Sequence, residues 1–228
     1  MINLSIGEKK VKLPNQWSEL TVAKYARVID IFNTHEATPE FKENKTPEQH
    51  EFDCLKANKE SFAFLTGCKN EEIEQCNFQQ ITMCLEYMTK FLSEVEQKTF
   101  KDIDETKVSF RFKDETYFYP LFKFKDTTFG DYIEASQLNM LTKKEGGNRF
   151  SVLAEQMAIM CKTKDESKEY DEKRVMKKSR VFENLPMNIV WDFVFFLTSQ
   201  TNTYQRNLET YSKKGIGQAT DIPEKIGA

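Results

Sequence analysis

Two histidines, His35 and His50, stand at the two ends of a polar stretch, and three cysteines, Cys68, Cys76 and Cys84, recur every eight residues. A zinc or catalytic centre needs further ligands at close spacing, and the chain has neither a His-Glu-x-x-His nor a Cys-x-x-Cys run. The histidines therefore read as solvated loop residues, and Cys84, between Met83 and Leu85, as part of an apolar helix. Carboxylates are plentiful (Glu71-Glu72, Asp102, Asp104, Glu134), but acidic residues at helix starts and on surfaces need no catalytic role. Ser61 and Ser151 lack a nucleophile elbow. The Gly146-Gly147 pair matches neither a dinucleotide fingerprint nor a phosphate loop and reads as a helix–helix connection. The basic group Lys173, Arg174, Lys177, Lys178 and Arg180 is flanked by Asp171 and Glu172, which favours a solvated helix face over a nucleic-acid contact. Tyr117, Phe118 and Tyr119 could stack on bases, but without a basic array around them they read as packing. The expectation is a protein with no catalytic residue, no cofactor site and no metal site, and hence no enzyme.

Composition narrows the class further. With 228 residues and 39% hydrophobic content the chain can bury a substantial core. Nineteen Phe and eight Tyr against eight Gly and six Pro favour helices packed through aromatic rings over tight turns. A formal charge of −3 argues against a DNA-coating protein. No apolar run is long enough to span a bilayer, and the Met1-Ile-Asn-Leu-Ser-Ile start is unlike a signal peptide, so synthesis and residence in the cytosol are expected, with the five cysteines as reduced thiols.

The elements that must position these side chains follow from periodicity. Residues 2–13 alternate on either side of Gly7-Glu8 as a short strand pair. Thr21 caps a helix carrying Val22, Tyr25, Val28, Ile29 and Phe32. Residues 34–50, with Pro39 and Pro47, read as an exposed, mobile loop. A helix through Phe52, Leu55, Phe62 and Leu65 closes at Gly67, and Asn70 caps the next. Phe78, Ile81, Leu85, Met88, Leu92 and Val95 then step by three and four. That heptad seam reads as the central helix of a bundle in preference to an oligomer interface. Residues 107–124 switch to period two and predict a β-hairpin turning at Asp114-Glu115, its apolar face made of Phe110, Phe112, Phe118 and Phe122. Thr128 and Asp131 form a capping box for a helix carrying Phe129, Ile133 and Leu141. Phe150, Leu153, Met157 and Met160 make another helical face, and the charged residues 162–178 a loop and a solvated helix reaching Phe182. From Pro186 the pattern Met187, Val190, Trp191, Val194, Phe195 and Leu197 wraps more than one face, so this last helix must be buried. The sequence thus predicts an α+β, mainly α fold: one domain over 1–211 and a flexible tail over 212–228.

The order of parts adds a resemblance. A short β start, Leu13-Pro-Asn-Gln-Trp-Ser-Glu-Leu-Thr-Val-Ala-Lys-Tyr25, Phe64-Leu-Thr-Gly67, an aromatic hairpin leading to Phe129-Gly-Asp-Tyr-Ile-Glu134, then Tyr170-Asp-Glu-Lys and Phe182-Glu-Asn-Leu-Pro186 before Phe195-Phe196 follow one another. This order resembles proteins from the structural gene modules of tailed bacteriophages of Bacteroidetes-type hosts, some of them labelled tail assembly chaperones or virion proteins. The resemblance implies a non-catalytic role through protein–protein contact, with other phage structural proteins or further copies of the chain in a homo-oligomer as partners. It places the chain in the host cytoplasm during synthesis and then in the virion. Two alternatives stand beside it: an internal cargo protein ejected with the genome, and a nucleic-acid-binding accessory protein.

Overall fold

The computed structural model describes residues 1–38, 42, 44–93, 108–120, 127–144, 147–166, 170–195 and 197. These form an α+β, mainly α fold with two small antiparallel two-stranded sheets. Strand β1 (Ile2–Ile6) pairs with β2 (Lys9–Leu13) around a two-residue turn whose first position, Gly7, sits at φ 58°, a conformation strained for any residue with a side chain. Leu13 and Leu20 are fully buried and deliver the chain to α1 (Val22–Thr34), where the Thr21 hydroxyl accepts the Lys24 N–H at 3.4 Å.

The first N–H groups of a helix have no partner within it. Here Val22 donates to the Leu185 carbonyl (3.0 Å) and Ala23 to that of Glu183 (3.1 Å), while Met187 N–H donates back to Leu20 O (2.8 Å). This exchange ties the start of α1 to the start of the last helix, α8 (residues 187–195). It also holds Pro186 in an extended bridge with Thr21, just ahead of the helix and not inside its first turn. Met187, Val190 and Phe193 are fully buried and Trp191 and Phe195 nearly so, as an all-round apolar helix requires. The Trp191 ring meets Trp17, Tyr25 and Phe150 edge-on, each at 5.7 Å between centroids.

The polar stretch after α1 ends sooner than its composition suggests. Thr46 caps α2 (Pro47–Thr66), with Pro47 in the first turn, where its fixed φ suits a helix and its missing N–H costs nothing. His50 is therefore a helix residue. Ala37 is buried against Ile31 and Ala57, and Lys45 bridges Glu36 (3.0 Å) and Asp53 (2.8 Å), so the described flanks of the stretch are docked. Residues 39–41 and 43 lie outside the described set. Gly67, at φ 70° and ψ 21°, closes α2 as expected. Lys69, one residue before Asn70, caps α3 (Asn70–Glu74), because the Glu72 carboxylate reaches back to its N–H at 2.7 Å. In α4 (Phe78–Ser93) Leu85, Met88 and Phe91 are buried and Ile81 and Leu92 half-buried, but Phe78 is 78% exposed. The seam packs on the core through its middle only, and the centre of the fold belongs to α8; Val95 lies outside the described residues.

Strands β3 (Ser109–Phe112) and β4 (Glu115–Phe118) form the aromatic hairpin, but its turn is Lys113-Asp114, at φ 47° and 65°, one residue before the expected position. Moving a two-residue turn by one position shifts the cross-strand partners by two, so Phe110 faces Tyr117 and not Tyr119 and each residue keeps its side; the expected common face of Phe110 and Phe118 fails because the odd residues of β4 stand opposite the even residues of β3. Phe110 pairs with Tyr117, and Tyr117 and Tyr119 are buried beside it, whereas Phe118 and Phe112 are only half-buried. Residues 121–126, with Phe122 and Phe124, are outside the described set.

Helix α5 (Phe129–Lys144) opens with the expected capping box, Thr128 N–H to the Asp131 carboxylate (3.2 Å) and Asp131 N–H to the Thr128 hydroxyl (3.1 Å). Its inner face differs from the expectation: Asp131, Ala135 and Thr142 are buried, while Phe129 and Leu141 are exposed. A single turn (Arg149–Val152) leads into α6 (Leu153–Met160), where every residue but Glu155 is buried. The tail, residues 212–228, lies outside the described residues.

Buried Asn148 fixes the α5–α6 connection. Its amide donates to Ala26 O (3.1 Å) and to the Asp30 carboxylate, and its carbonyl accepts from Phe150 N–H (2.8 Å) and Ser151 N–H (3.2 Å). Asn148→Ala leaves the buried Phe150 donor without this acceptor and is expected to cost about 2 kcal/mol. Exposed Asn77 likewise accepts from two N–H groups, of Gln79 and Gln80, and its alanine variant should cost about 1 kcal/mol or less because water replaces it. Urea unfolding of the two variants checks the ordering, and equal losses would contradict it.

Candidate functional site

Cys161 leaves α6 in an extended conformation, and Phe118 N–H donates to Lys162 O at 2.9 Å, which guides the chain past β4. Helix α7 (Glu172–Phe182), capped by Asp171 through the Arg174 N–H at 3.2 Å, then packs back over the same strand. Between them lies a cleft of roughly 530 Å³ lined by Glu115, Tyr117, Asp165, Arg174, Lys177 and Lys178.

An ion network forms its floor. Glu166 Oε1 meets Lys178 Nζ at 2.7 Å and Arg174 Nε at 3.2 Å, and Oε2 takes Lys178 at 2.9 Å and the Thr163 N–H at 3.1 Å. Lys178 also donates to Cys161 O at 2.9 Å, and the Glu166 and Lys178 side chains are only 8% and 9% exposed. Burial lowers the Lys178 pKa below the ordinary lysine value, against the opposing pull of its hydrogen bond to Glu166. An ammonium held by a carboxylate and a carbonyl is poorly placed to attack a substrate, and a carboxylate that accepts from Lys178 and the Thr163 N–H and pairs with Arg174 is a poor base. Glu115 and Asp165 against Lys177 put both signs at the cleft mouth, so it offers no positive field to a phosphate backbone.

The basic cluster of the sequence is thus split. Lys173, Lys177 and Arg180 are exposed, but Arg174 and Lys178 turn inward to Glu166. The direction of Lys178 is readable in the sequence: Val175 and Phe182 set the inner face of α7, and position 178 falls between them at helical spacing. Glu166 itself had no such signal, since it lies in an irregular segment. Lys162 pairs with Asp131 at 2.7 Å, so the capping carboxylate of α5 also takes an ion pair that local spacing could not announce.

The other candidates stay apart. His35 Nε2 meets Glu60 at 2.7 Å, whereas His50 Nε2 lies 3.6 Å from Cys54 Sγ. A nucleophilic Cys–His pair needs a lowered thiol pKa, and burial raises that of Cys54. Cys68 is buried, Cys76 donates to Glu72 O at 3.1 Å, and burial raises the Cys84 pKa. Among the described residues no three His, Cys, Asp or Glu side chains are grouped to hold a metal ion. Ser61 is fully buried, and Ser151 Oγ donates to Asn148 O at 2.7 Å. Glu71 and Glu134 are exposed, Glu72 pairs with Lys9 at 3.1 Å, and Asp102 and Asp104 lie outside the described residues. Tyr117 and Tyr119 pack within the core, and the Tyr119 hydroxyl donates to Ile189 O at 3.1 Å, its pKa raised by burial.

A second feature is apolar. On α5, opposite the buried Asp131, Ala135 and Thr142, Phe129 is 77%, Met140 60% and Tyr132 39% exposed, with Ile133 and Ser136 half-buried among them. Among the described residues no helix is long and apolar enough to cross a membrane. No protein-family model, curated protein or solved structure matches the chain.

Proposed function

We propose that this chain acts without catalysis, through protein–protein contact, in the assembly of the tail or virion of a tailed bacteriophage, made in the host cytoplasm and carried into the particle. The outer face of α5 carries the contact reading. In a chain with 30% charged residues, positions 135–142 contain none, and their outward side joins Phe129, Tyr132 and Ile133 in one apolar stripe. Depletion of charge around exposed aromatic and methionine side chains is the compositional mark of an interface core. The saturated ion network below α7 supports the same reading, since it secures a fold and leaves little for chemistry. The phage assignment rests on the order of parts along the sequence. Mass spectrometry of purified particles and assembly intermediates should detect the intact chain in one or the other; its absence from both would overturn the assignment.

A further inference from the structure

We infer that the outer face of α5 is a self-association surface, on which the same helix of a second copy packs antiparallel about a two-fold axis at Ser136. The inference rests on the contact reading above and names the partner. Phe129, Tyr132, Ile133, Ser136 and Met140 fall within an arc of about 100° on the helix, the width of a packing face. Tyr132 and Met140 each lie four residues from Ser136. In an antiparallel pair centred there, Tyr132 of each copy faces Met140 of the other, so the symmetry generates two thioether–aromatic contacts from one sequence. The face is its own complement. A parallel pair would instead set Phe129 on Phe129 and align the two helix dipoles, which antiparallel packing opposes.

The centre of this face suits close approach. Ser136 is small, and its hydroxyl already donates to Tyr132 O at 2.7 Å, so covering it strands no donor. The centre of the face, residues 135–142, carries no charge to desolvate, and the only charged position in register with it, Lys143, falls opposite Phe129 at the rim, seven residues from Ser136. Glu134 projects well away from the stripe, by helical spacing. The exposed parts of Phe129, Tyr132, Ile133 and Met140 amount to about 400 Å² per copy, half of the ~800 Å² per partner of a standard stable interface. The dimer is accordingly weak and depends on concentration.

The test uses the full purified chain under reducing conditions, in sedimentation equilibrium from about 5 to 500 μM. The wild type should dimerise reversibly within that range, and Met140→Lys should weaken association at least about tenfold with unchanged melting, because residue 140 is exposed in the monomer. On mild oxidation Ser136→Cys should form a disulfide-linked dimer well ahead of Lys173→Cys, placed on exposed α7 as a control for random collision. A wild type that stays monomeric, as it would if residues 198–228 or another partner covered α5, overturns the inference, as does undiminished association of Met140→Lys or equal cross-linking of the two cysteine variants. None of these measurements involves particles, so a strictly monomeric chain recovered from virions would remove the dimer and leave the contact function standing.

Discussion

Phe110→Asp is expected to cost more than about 4 kcal/mol, a large part of the ~5–15 kcal/mol that a domain of this kind has in total. Phe110 is 5% exposed, and its ring stacks on Tyr117 at 5.4 Å and meets Tyr119 at 5.1 Å and Phe182 at 6.0 Å. A carboxylate there loses its water without gaining a cation from those rings. Phe118→Asp is the informative comparison. That side chain is half-buried on the opposite face of β4, and the Lys164 ammonium lies 5.8 Å from its ring, so an introduced carboxylate keeps solvent and finds a positive neighbour. Its cost should stay below about 2 kcal/mol. Urea unfolding followed by circular dichroism reads both. A Phe118 variant as damaged as the Phe110 variant would mean that Phe118, and not Tyr117, shares the inner face with Phe110.

That comparison also marks where the sequence stopped being legible. The devices that are local in sequence were readable: the Gly7-Glu8 turn, the Thr21 and Gly67 caps and the Thr128–Asp131 box each depend on residues within a few positions of one another. The hairpin register was missed because Lys113 and Asp114 both take left-handed conformations without any glycine. Asp tolerates that region; Lys gives no hint of it. The inner face of α5 gives no apolar signal because two of its buried residues are polar, Asp131 paired with Lys162 and Thr142 donating to the Leu138 carbonyl, while the apolar Phe129 and Leu141 lie outside. The spacing of Val175 and Phe182 turns Lys178 inward, but the group that it and Arg174 meet there, Glu166, lies in an irregular segment and is held by the Thr163 N–H and the cations themselves. Long-range polar pairing of this kind, like Lys162 with Asp131 or Asn148 with Ala26, leaves no periodic trace.

The network under α7 should respond unequally to removal of its members. Glu166→Gln leaves Lys178 and Arg174 side by side without a counter-charge and is expected to cost about 3–5 kcal/mol. Lys178→Met leaves Glu166 with Arg174 and the Thr163 N–H, and fills the space near Tyr117 and Phe182 with an apolar chain. Its cost should stay under about 1.5 kcal/mol. Adding Lys178→Met to Glu166→Gln should then recover part of the loss, since it removes one of the two stranded cations, and the double-mutant cycle should show a coupling above about 1 kcal/mol. Titration gives an independent reading. Because burial lowers the Lys178 pKa in the fold, the unfolded chain holds more protons between that value and about 10.4, so this residue makes wild-type stability rise with pH across the window. Tyr117 and Tyr119, whose pKa values burial raises, act oppositely, withdrawing stability as the pH passes about 10, but they are common to wild type and variant and cancel in the difference. Wild type should therefore gain on Lys178→Met as the pH rises from neutral towards 10. A stability difference that stays flat over that range, together with additive costs in the cycle, would mean that Lys178 is solvated and that Glu166 does not hold α7 to the segment before it.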